Sequence, residues 1–119
     1  MTDQMYGLAV RWSLAEAAPD VADRLRDFVG GRSLERFTGM AGLRFKTWRM
    51  AEGAWFEGTY VWASAEARDT FVATDRAGMP DSAGTRIIGS QPVLYEPFEV
   101  VAVAEGGAGF AAGAGPGRE

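Results

Sequence analysis

The chain has 119 residues and a net charge of −4, which is enough length for one domain with its own core and an acidic balance that disfavours nucleic acid and anionic membranes as partners. It contains no cysteine and no histidine, which excludes disulfides, thiolate chemistry, the commonest general base and the usual zinc and haem ligands together. No apolar run approaches the roughly 20 residues of a membrane span, and the N-terminus lacks a charged-then-apolar leader, so a cytoplasmic protein is expected.

Residues Gln4 to Leu14 alternate. Tyr6, Leu8, Val10, Trp12 and Leu14 share one face and Met5, Gly7, Ala9, Arg11 and Ser13 the other, which predicts a first strand with a fully apolar face. Ala18-Pro19-Asp20 opens a helix, with Val21, Leu25, Phe28 and Val29 at helical spacing and Asp23, Arg24, Arg26 and Asp27 outward. Gly30-Gly31 predicts a break or kink, after which Leu34 and Phe37 let the helix resume for a turn or two. Gly39 and Gly42 lead into a second strand, Leu43 to Met50, in which Arg44, Lys46, Trp48 and Met50 alternate with Leu43, Phe45, Thr47 and Arg49. Ala51-Glu52-Gly53 is short enough to make the third strand, Ala54 to Ala63, its hairpin partner. Ser64 reads as an N-cap, with Phe71 and Val72 on the apolar stripe of a second helix over about 65–76 that ends at Gly78-Met79-Pro80. A short helical turn fits residues 81–89. A last strand fits Pro92 to Ala104, bulged or on an edge because of Pro97. From Glu105 the composition, GGAGFAAGAGPGRE, cannot bury a core and reads as a disordered tail.

The expected organisation is therefore a single domain over 1–104 and a Gly/Ala-rich tail over 105–119. The order β-α-β-β-α-β predicts an α+β, ferredoxin-like fold, with two helices on one face of an antiparallel four-stranded sheet. Both faces of the strands carry bulky residues: Trp55 opposes Phe56, and Val61 opposes Tyr60 and Trp62. An antiparallel sheet with a wet outer face should instead alternate apolar with polar. The uncovered face predicts a homodimer in which two sheets meet.

Without histidine, the acid–base groups left are carboxylates, tyrosines, Lys46 (the only lysine) and arginines. Trp12, Trp48, Trp55 and Trp62 all fall on predicted strands, as core or as stacking walls for a planar ligand. Trp62 stands where the third strand hands over to the second helix, a point that often opens into a cleft, and is the leading candidate. Tyr60 shares its face, Tyr6 shares the face of Trp12, and Tyr95 lies near the start of the last strand; a buried tyrosine hydroxyl can polarise a carbonyl or hold an enolate. Among the strand cations Arg11, Arg44, Lys46 and Arg49, Arg11 is the preferred anchor for a substrate carboxylate or phenolate. Glu57 on the adjacent strand is the obvious ion-pair partner for such cations. Glu57, Glu96 and Glu99 are candidate bases if buried beside aromatics. The candidate catalytic set is Trp62, Tyr60 and Arg11; the candidate binding set is Trp12, Tyr6, Phe71, Tyr95 and Glu57. No paired carboxylate motif at metal spacing appears, so neither a metal nor a cofactor is expected.

Over residues 4–104 the chain resembles the dimeric α/β-barrel superfamily. The resemblance is carried by the order of elements, Gly42-Leu43, Lys46-Thr47-Trp48 and Tyr60-Val61-Trp62-Ala63-Ser64-Ala65-Glu66-Ala67. It is nearest to the YdhR-type monooxygenases, cousins of the antibiotic-biosynthesis monooxygenases. The resemblance implies a pocket between sheet and helices for a flat aromatic or polyketide-like molecule, with Trp62 as a site residue. In quinone-forming members O₂ reacts directly with an enolised phenol, without flavin or metal. Those members place Asn four residues before the Trp and Tyr six after it, where this chain has Gly58 and Arg68. The haem-degrading branch uses a helical His that this chain lacks. Three functions stay open: an O₂-using tailoring enzyme, a non-oxidative cyclase, isomerase or dehydratase in the same pocket, and a small-molecule binding protein without catalysis.

Overall fold

The computed structural model of the chain describes residues 4–115. Four strands, β1 (Tyr6–Ser13), β2 (Leu43–Ala51), β3 (Trp55–Trp62) and β4 (Leu94–Glu99), form one antiparallel sheet in the order β2-β3-β1-β4. The helices are α1 (Val21–Phe28), α2 (Leu34–Phe37), α3 (Ala65–Gly78) and α4 (Ala83–Ile88). The fold is α+β and ferredoxin-like.

Pairing register explains which residues meet. Leu8 lies opposite Tyr60, Val10 opposite Gly58 and Trp12 opposite Phe56, so the alternate positions of β1 and β3 form one apolar surface. The helices, with the 3₁₀ turn Met79–Asp81 that follows α3, supply Val21, Leu25, Phe37, Met79 and Ile88 to the same core. Removing these side chains from water is the main stabilising contribution, roughly 1.5–3 kcal/mol for each large apolar group.

Three elements differ from the sequence expectation. Gly30-Gly31 does not break the first helix. Val29–Ser33 widens into a π-helical turn that joins α1 to α2, a solution available where two glycines leave the helix under-packed. In β2 the expected strict alternation fails at its start: a bulge between Leu43 and Phe45 lets Leu43 pack against the core while Phe45 stays on the outer face. The last strand is shorter than Pro92–Ala104; it ends at Glu99, and it is an edge strand, which is why Pro97 is tolerated opposite Leu8. The second helix behaves as read: the Ser64 hydroxyl accepts from the Ala67 N–H at 3.0 Å. The short turn over 81–89 is α4, closed by Gly89 in the left-handed region at φ 89°.

Beyond β4, residues 100–115 contain no helix or strand, and the Phe110 ring lies 6.1 Å from that of Phe45. Of the tail read over 105–119, residues 116–119 lie outside the described residues, as do residues 1–3 of the domain read over 1–104.

Candidate functional site

The helix-facing side of the sheet does not close completely. A cavity of about 450 Å³ remains between β1, β2 and β3 on one side and the π-helical turn, α2, α3 and the start of α4 on the other. Its sheet wall is Trp12, Lys46, Trp48, Phe56, Gly58 and Tyr60; its helical wall includes Arg32, Ser33, Arg36, Phe37, Asp75 and Met79. The volume falls in the roughly 300–1,000 Å³ range of small-molecule sites, and the lining is mostly apolar with a few polar groups, as such sites are.

Lys46 is the central polar group. Its position in β2 aims it inward beside Trp48, and its register partner on β3 is Tyr60. The Lys46 ammonium nitrogen Nζ lies 3.0 Å from the Tyr60 hydroxyl oxygen. It also stands 3.6 Å from the Phe37 ring centre, 4.3 Å from that of Tyr60 and 4.6 Å from that of Trp48. Loss of water around the amine is the largest influence on it, opposed by the Asp75 carboxylate and reinforced by Arg36; together they bring its pKa down to about 6. The three ring faces pull the other way, since each attracts a cation. A pKa of about 6 favours the free base at neutral pH, against the pull of the rings, and makes the amine a candidate proton acceptor at the cavity wall.

The phenols beside it are shifted in the opposite sense. Burial, and then the Asp75 charge, pushes the Tyr60 hydroxyl well above the ordinary phenol value. Tyr60 remains a neutral hydrogen-bond donor. Tyr95 is raised by burial and by donating its hydroxyl proton to Asp75 Oδ2. Asp75 is thus held by β4 from outside the cavity while its charge acts on Lys46 and Tyr60.

The π-helical turn has a visible effect on this geometry. It places Ser33 inward, 5 % exposed, where its hydroxyl accepts the Trp48 indole N–H at 2.9 Å. That bond fixes one ring of the lysine cage. Arg32 and Arg36 sit on the same stretch of helix and line the cavity; Arg36 stacks on Phe37 at 4.7 Å. Neither is held in an ion pair among the described residues.

The residues singled out from sequence separate into groups. Tyr60 and Trp12 line the cavity, and the Trp12 indole donates to the Thr85 hydroxyl at 3.4 Å. Phe71 packs 5.0 Å from the Tyr60 ring, and Tyr95 reaches the site through Asp75. Trp62 is 2 % exposed, is sandwiched between Tyr60 at 6.0 Å and Phe71 at 5.0 Å, and is not among the lining residues. Its indole N–H is buried and has no hydrogen-bond partner among the described residues. Tyr6 lies away from the lining, beneath the Arg68 guanidinium at 5.6 Å.

Arg11 and Glu57 are placed on the opposite face of the sheet, because odd positions of β1 and β3 point away from the helices. There Arg11 Nε donates to Glu57 at 2.8 Å, Arg49 Nε at 2.6 Å and the Thr59 hydroxyl at 2.9 Å. The Trp55 ring lies 4.1 Å below the Arg11 guanidinium. Neither residue reaches the cavity from that face. Sequence reading missed Lys46 as the centre, together with Ser33, Arg36 and Asp75. The available signal was a lone lysine sharing a strand face with Trp48 and Met50.

A second hollow of about 300 Å³ borders β2 and the π-helical turn, with Ala114 and Gly115 at its rim. Its charged groups include Arg26, tied to Asp23 and Glu52, and Arg49, tied to Glu57. Among the described residues no group of three or more carboxylates is placed to hold a metal ion. Among the described residues no helix is long and apolar enough to cross a membrane.

No family model matches the chain, and no curated protein matches it. Solved structures do. A Chloroflexus aurantiacus J-10-fl protein, provisionally named an antibiotic biosynthesis monooxygenase, superposes with a TM-score of 0.57 at 19 % identity, over 84 % of this chain and 96 % of its own. A Nitrosomonas europaea protein of unknown function superposes with a TM-score of 0.62, also at 19 % identity, over 86 % of this chain and 94 % of its own. At that identity the likeness establishes the shared fold.

Proposed function

We propose that this chain is a monooxygenase-like enzyme of the YdhR type. In this reading it takes a flat phenolic or polyketide-like aromatic into the cavity and removes a proton from it with Lys46. The observation that carries the reading is the position of Lys46 Nζ at the cavity wall, 3.0 Å from the Tyr60 hydroxyl. The aromatic stacks among Phe37, Trp48 and Phe56. Lys46 takes the phenolic or enolic proton, and the new ammonium is stabilised by the oxyanion it has made and by the ring faces around it. The Tyr60 hydroxyl donates to that oxyanion. The electron-rich anion then reduces O₂ directly, so the reading calls for no added cofactor. The balance with a naphthol probe is 1-naphthol plus O₂ giving 1,4-naphthoquinone plus water.

The likeness to the Chloroflexus protein supports the class. One observation favours a second reading: Gly58 and Arg68 stand where quinone-forming enzymes carry Asn and Tyr. The proton transfer by Lys46 is sufficient for a cyclisation, isomerisation or dehydration without O₂. An oxygen electrode and quinone absorbance with 1-naphthol separate the two. Uptake of one O₂ per quinone, lost in Lys46→Met, supports the oxygenase. Turnover of an enolisable aromatic under nitrogen supports the non-oxidative enzyme. Tight binding with no turnover leaves a binding protein, and no binding of any planar aromatic overturns the proposal.

We also propose that the working unit is a homodimer joined through the outer face of the sheet, which carries Phe45 at 36 % exposure with the half-buried Trp55 and Phe98. Sedimentation at micromolar concentration should give twice the chain mass; a single folded chain would remove this part of the reading.

A further inference from the structure

We propose that Lys46 is also a nucleophile: the cavity admits an aromatic aldehyde or ketone, and Nζ condenses with its carbonyl carbon to form an imine. The inference rests on reading the cavity as a ligand site, and not on any reaction with oxygen. In the step, the nitrogen lone pair attacks the carbonyl carbon and gives a carbinolamine. The carbon–oxygen bond then breaks, and the oxygen leaves as water with the two hydrogens that Nζ brought. No oxidant or reductant is consumed.

Three features of the geometry support it. The first is the approach. Lys46 leans over Gly58, where a Cβ would come within 3.1 Å of its Cε and 3.4 Å of the Tyr60 hydroxyl. The missing side chain lets the lysine stem and the Tyr60 hydroxyl close over the strand together, which holds Nζ beside that hydroxyl at the cavity wall where a carbonyl must arrive. The second is the wall. Phe37, Tyr60 and Trp48 present ring faces within 3.6–4.6 Å of the amine, flat surfaces against which an aryl carbonyl stacks with its reactive carbon at Nζ. The third is a donor for the carbonyl oxygen, the Tyr60 hydroxyl 3.0 Å from Nζ.

The charge state is consistent with nucleophilic amine chemistry, which needs the free base. The groups facing Lys46 are Tyr60 from β3, Arg32 from the π-helical turn, Arg36 from α2 and Asp75 from α3. Asp75 favours the ammonium, Arg36 and the loss of water favour the amine, and the amine prevails above about pH 6. A solvated lysine, by contrast, keeps a pKa near 10.4 and is almost wholly protonated at neutral pH.

Because Lys46 is the only lysine, the test is unambiguous. The full chain is incubated with 2-naphthaldehyde and sodium cyanoborohydride at pH 6.5, and the secondary amine formed is mapped by peptide mass spectrometry. One adduct is expected per chain, on Lys46, appearing at least tenfold faster than on the N-terminal amine. The preference disappears in urea, and propanal shows less than a twofold preference. Tyr60→Phe slows the reaction about tenfold. Lys46→Arg and Lys46→Met remove the site while circular dichroism reports the fold. Labelling confined to the N-terminus of the folded chain, or a Lys46 rate that is the same in urea, overturns the inference. Absence of O₂ uptake with naphthol, together with normal trapping, would sink the oxygenase reading alone. Normal uptake without trapping would sink this inference alone.

Discussion

A Cβ on Gly58 would stand 3.1 Å from Cε of Lys46. The two residues sit on neighbouring strands, and the register that pairs Lys46 with Tyr60 and Trp48 with Gly58 makes the glycine the floor over which the lysine stem passes. The side chain that Gly58 lacks is therefore part of the site. Gly58→Ala is expected to destabilise the fold by about 1–2 kcal/mol through overpacking and to slow naphthaldehyde trapping at Lys46 several-fold. Urea denaturation and the trapping rate measure the two effects separately. Trapping at the wild-type rate would show that the stem simply moves aside.

Lys46→Met should stabilise the protein at and below about pH 6 while abolishing trapping. Folded Lys46 has its pKa lowered to about 6 from an ordinary 10.5, so between those values the unfolded chain binds more protons than the folded one. Wild-type stability then rises with pH across that window, at up to about 1.4 kcal/mol per pH unit, and the contribution is flat below pH 6. Methionine removes this slope. The variant is expected to exceed wild type by about 1 kcal/mol at pH 6, net of the hydrogen bond Tyr60 loses, to lose that lead by about pH 7, and to fall about 3 kcal/mol below wild type by pH 9. Parallel slopes for the two proteins would show that the amine is ionised throughout.

The architecture was legible because it rests on periodicity. Alternation in β1 and β3 and the Ser64 cap are local signals, and the structure follows them. The site was less legible because it depends on distances between elements. Tyr60 and Trp12 were reachable from strand parity. The short turn at 51–53 already pairs β2 with β3, but placing Lys46 at the centre also required knowing that the helical layer leaves a gap over those strands. The π-helical turn needed more still. Gly30-Gly31 announces a weak point in the helix, but only the Ser33–Trp48 contact shows what the irregular turn accomplishes. Arg11 and Glu57 show the limit of residue type as a guide, since both carry useful chemistry and parity sends both to the other face.

That other face gives a third expectation. Glu57 is 2 % exposed, and Arg11 and Arg49 are 31 % and 56 % exposed. Burial pushes the Glu57 carboxyl up, and the hydrogen bonds from Arg49, Arg11 and Thr59 outweigh it, leaving the pKa below 4.5. Its stabilisation is present above that ordinary value and is lost as pH falls through the lower folded one. Glu57→Gln should cost about 2 kcal/mol, less than a fully buried pair because both guanidinia reach water, and should flatten the acid limb of the stability curve. Trapping at Lys46 should be unchanged. A large loss of trapping with the fold intact would tie the outer cluster to the site after all.

Ser33→Ala tests the π-helical turn. The substitution leaves the Trp48 indole N–H without its acceptor, at a cost of about 1–2 kcal/mol, and frees one ring of the cage to rotate. Weaker binding of 2-naphthol, read from tryptophan fluorescence, should accompany the loss of stability. Ser33→Thr keeps the hydroxyl and should restore binding. Equal binding by both variants would separate the turn from the site.

Trp62 gives the sharpest contrast with Trp48. Both indoles lie in the same aromatic cluster, but Trp48 lines the cavity and is hydrogen-bonded, whereas Trp62 is sealed behind Tyr60 and Phe71 with its N–H unpartnered among the described residues. Trp62→Phe therefore removes no hydrogen bond. It relieves one buried polar group and leaves a small void in its place, and the two effects oppose each other within about 1–2 kcal/mol. Trapping at Lys46 should stay within twofold of wild type, while Trp48→Phe, which opens the cage and strands Ser33, should lower it about tenfold. If Trp62→Phe abolished trapping in a protein that still melted cooperatively, the buried N–H would be facing the ligand, and the cavity wall would have to extend past Tyr60 to reach it.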